Sequence, residues 1–252
     1  MLNQATIDKM VEMKMLSLAE EFRRQIASAE FSSLSFEERV GMMIDAEGAA
    51  RDQRKLRRRL GWARLRHQAS LEDVDWQASR GLDRQVVLSL GRCGWIRERL
   101  NVLITGPAGV GKSWLACAFA ERACRSGHSA YYVRAPRLYQ ELAVARGDGS
   151  YGRMLARLAK TELVVLDDFA LTPLKDQERR DLLEILEDRH ERASTLVTSQ
   201  LAVKGWHEAI GEPTLADAIC DRLIHGAHRI ALTGPSQRDP KAKAKRAAKS
   251  GA

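Results

Sequence analysis

Cysteine is nearly missing from this chain of 252 residues, and the 4 present, Cys93, Cys117, Cys124 and Cys220, form no CxxC pair and no zinc-ligand spacing. That argues against a disulfide framework and against a structural zinc site. Aromatic residues make up only 6%, too few for base stacking to be the main device of a nucleic-acid surface. No apolar run approaches the ~18 residues that a membrane span needs. The first residues, MLNQ, lack a basic-then-apolar signal segment. A cytoplasmic protein with no membrane partner is expected, and no internal repeat is visible.

What is present is a composition that can bury a core, 44% hydrophobic and 29% charged, with a net charge of +8. The charge is segregated. Residues 51–66 carry +7 and residues 236–252 carry +5, so the remaining body is mildly acidic. Focused positive charge points to a polyanion, most often nucleic acid. The first block lies on a predicted helix that opens with Ser35 and Glu38, a capping-box spacing. On it Arg51, Arg54, Lys55 and Arg58 share one face, flanked by Arg57 and Arg59, with Leu56, Leu60 and Ala63 roughly opposite. Such a row is often just a solvated face. Like charges at these spacings repel, however, and a duplex phosphate backbone would remove that cost. These six residues are the candidate DNA contacts. Upstream, Ile7, Met10 and Val11 make one apolar stripe, and Leu18, Phe22 and Ile26 a second. Three regions follow: a small all-α domain at 1–68, an α/β domain at 69–235, and a low-complexity Lys/Ala tail at 236–252 that reads as disordered.

The chemistry sits in the middle region. NVLIT at 101–105 reads as a buried strand and runs into Gly106, Pro107, Ala108, Gly109, Val110, Gly111, Lys112 and Ser113. This is a G-x-x-x-x-G-K-S phosphate loop, followed by a helical pattern. Its glycines let the backbone wrap phosphates and the helix adds its positive end. Lys112 reaches the β- and γ-phosphates of ATP, and the Ser113 hydroxyl ligates Mg²⁺. LVVLDD at 163–168 is a second apolar strand, ending in Asp167, placed to hold Mg²⁺, and Asp168, placed to orient or deprotonate the attacking water. AYYV at 130–133, TLVTS at 195–199 and RIAL at 229–232 complete five strands alternating with helices, which predicts a parallel sheet with helices on both faces. A polar residue ending the 195–199 strand, Thr198 or Ser199, could read the γ-phosphate.

With the segment PTLADAICDRLIHGAHRI at 213–230, these motifs resemble AAA+ ATPases of the DnaC-like branch, and within it the IstB-like insertion-sequence ATP-binding proteins that assist a transposase. The resemblance runs from about Leu16 to Leu232. It implies a P-loop AAA+ core, Ser199 or Thr198 as sensor, and Arg222 as an arginine finger inserted into a neighbour's site. An ion pair of Arg222 with Asp217 or Asp221 is the plainer alternative. It also implies a partner transposase and an ATP-dependent homo-oligomer on duplex DNA. Two departures stand out. Asp168 occupies a position where many AAA+ proteins have Glu, which suits a slow switch. About twenty polar residues follow Leu232, too apolar-poor for the usual helical lid. Two rival readings share the loop. A DnaC-like helicase loader would grip a helicase with its N-terminal helices, and a small-molecule kinase would need a lid and a substrate pocket.

Overall fold

Five short apolar runs become five parallel strands because each is bounded by turn residues; four of them are buried along nearly their whole length, while one edge strand buries only Ile230. In the computed structural model, which describes residues 2–78 and 80–237, they are β1 (Val102–Thr105), β2 (Ala130–Arg134), β3 (Leu163–Phe169), β4 (Ser194–Ser199) and β5 (His228–Ala231). Their order is β2-β3-β4-β1-β5. The chain divides into two compact units, Met1–Arg58 and Arg59–Ala252, ten residues before the sequence-expected boundary. Residues 238–252, most of the basic tail, lie outside the described residues.

The first unit holds α1 (Leu2–Glu12), α2 (Leu16–Ala27) and most of α3 (Phe36–Ala63). The capping box forms as the spacing requires: Ser35 N donates to Glu38 Oε2 at 2.8 Å, and Glu38 N donates to Ser35 Oγ at 3.2 Å. The apolar stripes are only partly used. Ile7 is buried, but Val11 and Ile26 are 40% and 45% exposed. Polar groups take the inner positions instead. Buried Gln25 donates to Arg39 O at 3.1 Å, and buried Glu47 accepts from Ser17 N at 3.0 Å at the start of α2.

The second unit continues with α4 (Arg84–Leu90), α5 (Gly94–Arg97), α6 (Lys112–Arg125), α7 (Ala135–Gly147), α8 (Tyr151–Lys160), α9 (Asp176–Arg189), α10 (Trp206–Ile210) and α11 (Pro213–Ile224). Val102, Leu103, Ile104, Val165, Leu196 and Val197 are fully buried at the sheet's centre, each worth about 1.5–3 kcal/mol of apolar burial. Trp206 packs edge-on against Phe169 with ring centroids 4.9 Å apart, and its indole N–H donates to Leu201 O. Arg189 is buried and fully engaged: its guanidinium donates to Leu158 O, Thr161 O, Ser194 O and Thr195 Oγ1. Burial pulls its pKa down to about 9, so those four acceptors are what keep the charge tolerable. Among the described residues no helix follows β5.

Candidate active site

In a parallel sheet with helices on its faces, ligands meet the carboxyl ends of the strands. Here β1 ends at Thr105, and the loop from Gly106 to Ser113 turns directly into α6. Gly106 has φ +146°, and a Cβ there would lie 2.2 Å from the Leu232 carbonyl oxygen, so only glycine fits between β1 and the chain leaving β5. Gly111 caps α6 with φ +100°. The first turn of this 14-residue helix therefore presents unbonded N–H groups and its positive end to the loop's interior. Lys112 is buried, with Nζ donating to Gly106 O at 2.7 Å and Pro107 O at 2.8 Å, which holds the cation at the rim of the cradle.

The acids arrive on the neighbouring strands. Asp167 is fully buried at the end of β3. Its Oδ1 accepts from Ser113 Oγ at 2.9 Å and from Thr198 Oγ1 at 2.5 Å, and its Oδ2 accepts from the Tyr132 hydroxyl. Burial pushes the Tyr132 phenol far up, so it stays a neutral donor. Asp168 follows with φ +56°, a left-handed residue that a bulge between Leu166 and Phe169 accommodates. Its N–H donates to Thr198 Oγ1 at 3.2 Å, and its carboxylate pairs with Arg134 Nε at 2.8 Å. Beside them lies a cavity of about 440 Å³ lined by Gly109, Gly111, Lys112, Ser113, Asp168 and Arg134, and also by Arg66, Arg80 and Gln237. That is within the size range of small-ligand sites.

The structure thus brings together Lys112, Ser113, Asp167 and Asp168. It separates the two sensor candidates, because successive residues of a strand face opposite ways. Thr198 bridges both acids, whereas the Ser199 hydroxyl donates to Phe169 O at 2.8 Å, away from them. Arg222 sits at the other end of the sheet. Its backbone carbonyl accepts from Asn101 Nδ2 at 2.8 Å, and its guanidinium pairs with Glu187 at 2.8 Å and with Asp221 at 3.3 Å. The expected pair with Asp221 therefore exists, while Asp217 instead meets His207. Along α3, Arg51 and Arg54 both pair with Glu47, and Lys55 pairs with Asp52. Tyr132, Arg134 and Arg80 were not expected from the sequence. Arg134 stands directly opposite Asp167 in the β2–β3 register, a relation that only the strand order reveals.

A divalent cation fits these donors. The Ser113 hydroxyl and the Asp167 carboxylate are hard oxygen ligands, adjacent and fixed by strand and helix ends. Among the described residues no set of three His, Cys, Asp or Glu is arranged to hold a metal alone. Mg²⁺ characteristically shares its shell between one or two protein groups and substrate phosphates.

Comparisons with known proteins place the chain's family and fold. The sequence model of the IstB-like ATP binding protein family matches residues 8–247. The insertion sequence ATP-binding protein y4pL of Sinorhizobium fredii is 51% identical over 238 residues, 94% of this chain and 97% of that protein. The insertion sequence IS1162 ATP-binding protein of Pseudomonas fluorescens is 44% identical over 80% of this chain and 87% of its own. Among solved structures, the crystal structure of DnaI superposes with a TM-score of 0.57 at 24% identity, covering 66% of this chain and 92% of that one, a likeness of fold. With a phosphate loop, a buried acid hydrogen-bonded to it and a family match over nearly its whole length, the chain belongs to the IstB-like ATP-binding protein family.

Proposed function

We propose that this protein is the ATP-driven, DNA-binding helper of a transposase, and that its ATP state assembles copies of the chain on duplex target DNA. Family membership makes it an AAA+ ATPase associated with insertion sequences. The observation that carries the mechanism is the 2.9 Å contact between Ser113 Oγ and Asp167 Oδ1, which joins the phosphate loop to the acid of β3.

The loop N–H groups and Lys112 hold the triphosphate, and Ser113 and Asp167 hold Mg²⁺, which neutralises phosphate charge. Asp168 takes the proton of the attacking water as the bond from γ-phosphorus to the bridging oxygen breaks, giving ADP and phosphate. Thr198, in contact with both acids, is the sensor that transmits the state of the γ-phosphate. Arg222 lies too far from its own loop to serve it and serves a neighbour's, releasing Glu187 and Asp221 as it does so. The basic face of α3 meets the duplex through its phosphates, giving salt-sensitive, weakly sequence-specific binding. Hydrolysis resets the assembly. The likeness to DnaI is one of fold.

Sizing the full chain in solution with and without ATP, Mg²⁺ and duplex DNA tests this reading. A particle that grows only with nucleotide and grows further with duplex is expected. A constant size under all conditions overturns it.

A further inference from the structure

The apolar run that feeds the phosphate loop opens on a polar residue, Asn101, whose side chain has no part in the roles above. Both ends of its amide are engaged. Its Nδ2 donates to Arg222 O at 2.8 Å and to Leu223 O at 3.3 Å, and its Oδ1 accepts from Thr195 N at 2.8 Å. The orientation is forced. Carbonyls only accept and a backbone N–H only donates, so a flipped amide would lose all three bonds. One side chain thus ties the start of β1 to β4 and to the last turn of α11.

That turn is where a helix needs outside partners, because its final carbonyls have none within the helix. In α11 the Asp221 carbonyl accepts from His225 N at 3.1 Å and the Ile224 carbonyl from Ala227 N at 3.2 Å. Asn101 serves the two carbonyls between them. The backbone of Arg222 is therefore pinned, and Leu223 beside it is fully buried. The guanidinium is held less firmly. Its partners Glu187 and Asp221 are 47% and 62% exposed, and its buried Nε has no acceptor among the described residues. Exposed ion pairs hold a side chain weakly. A pinned backbone under a loosely held guanidinium suits a side chain that must reach a second site from a fixed origin.

We infer that Asn101 is a positioning residue for ATP hydrolysis: by holding the last carbonyls of α11 at the start of β1, it sets where the Arg222 guanidinium enters a neighbouring copy's nucleotide site. This rests on the reading of Arg222 as a finger proposed above, and the test separates the two. Full chains carrying Arg222→Ala, which keep the phosphate loop, would be mixed with chains carrying Lys112→Ala, which keep the finger, and ATP hydrolysis followed across mixing ratios. Only a hybrid interface then has both parts. Asn101→Asp would be added to one kind of copy at a time. This near-isosteric change keeps the acceptor for Thr195 N but turns an oxygen toward the two α11 carbonyls. In the Lys112→Ala copy it should cut the recovered hydrolysis by about 100-fold, because a displacement of ~1 Å can cost that much. In the Arg222→Ala copy, where there is no finger to position, the loss should be at least roughly tenfold smaller. A purely structural role would harm both copies alike. Asn101→Ala removes the same bonds without repulsion and gives the same split if Asn101→Asp does not fold. A loss in the Lys112→Ala copy that does not exceed the loss in the Arg222→Ala copy by about tenfold overturns this inference alone. No recovery in the parent mixture, at any ratio, overturns the reading of Arg222 itself.

Discussion

The cations at the carboxyl end of the sheet and those along α3 are placed by different rules. Lys112 is fixed by loop carbonyls and Arg134 by Asp168, each on the end of a strand or helix whose direction the sheet dictates. On α3, Arg51 and Arg54 share one acid, Glu47, while Arg57 and Arg58 are exposed. A cation set by strand ends acts at one atom, and its geometry matters. A cation set by helical spacing contributes to a field, and mainly its charge matters.

Arg222 is the case that sharpens this contrast most, since it is a helix-borne cation given a single-atom task. Arg222→Ala should lower hydrolysis on the order of 1000-fold, the lower range for an arginine finger, while ATP affinity stays near wild type. Mixing it with Lys112→Ala copies should recover activity at hybrid interfaces. A loss below tenfold, or no recovery at any ratio, would return Arg222 to the ordinary surface cations. Next in size, Lys112→Ala should weaken equilibrium ATP binding by about 100-fold, two charge-assisted bonds' worth, and Lys112→Arg should not restore it. Tolerance of arginine there would erase the distinction between position and charge. By contrast, converting Arg57 and Arg58 to Lys should barely change duplex affinity. Converting both to Glu should cut it and flatten the log–log salt dependence by about 2, as filter binding across a salt series would show.

The smallest effect concerns Glu47. Hydrogen bonds from Arg51, Ser17, Leu18 and Arg54 hold its carboxyl below the ordinary 4.5. A depressed folded value contributes stability that is fully present above 4.5 and is lost as pH falls through the lower folded value. Glu47→Gln should therefore remove that acid limb from the unfolding of the N-terminal helices followed by circular dichroism. An identical acid limb in the variant would mean that Glu47 does not link the row to the fold.

The phosphate loop, Asp167 and all five strands were legible because each is local in the chain: an apolar run, a glycine pattern, an acid at a strand's end. Tyr132 and Arg134 were not. They reach Asp167 and Asp168 only because β2 lies beside β3, and strand order is not written in any single segment. The choice between Thr198 and Ser199 was open for a related reason. Strand period 2 separates the two residues, but which face meets β3's acids depends on the bulge after Leu166. The apolar stripes of α1 and α2 were read as more buried than they are, because Gln25 and Glu47 take inner positions through hydrogen bonds that periodicity does not register.

Asn101 holds the Arg222 backbone at the start of β1, whereas the phosphate loop begins at its end, about 13 Å further along at ~3.3 Å per residue. On the reading of Arg222 as a finger for a neighbour, contacts must run head to tail, and a row built that way has polarity. One terminal copy offers an arginine that nothing uses, and the other carries a triphosphate that nothing fires. An open row of n chains then has n − 1 working centres, so the idle terminus stays loaded longest and marks where the row can keep growing.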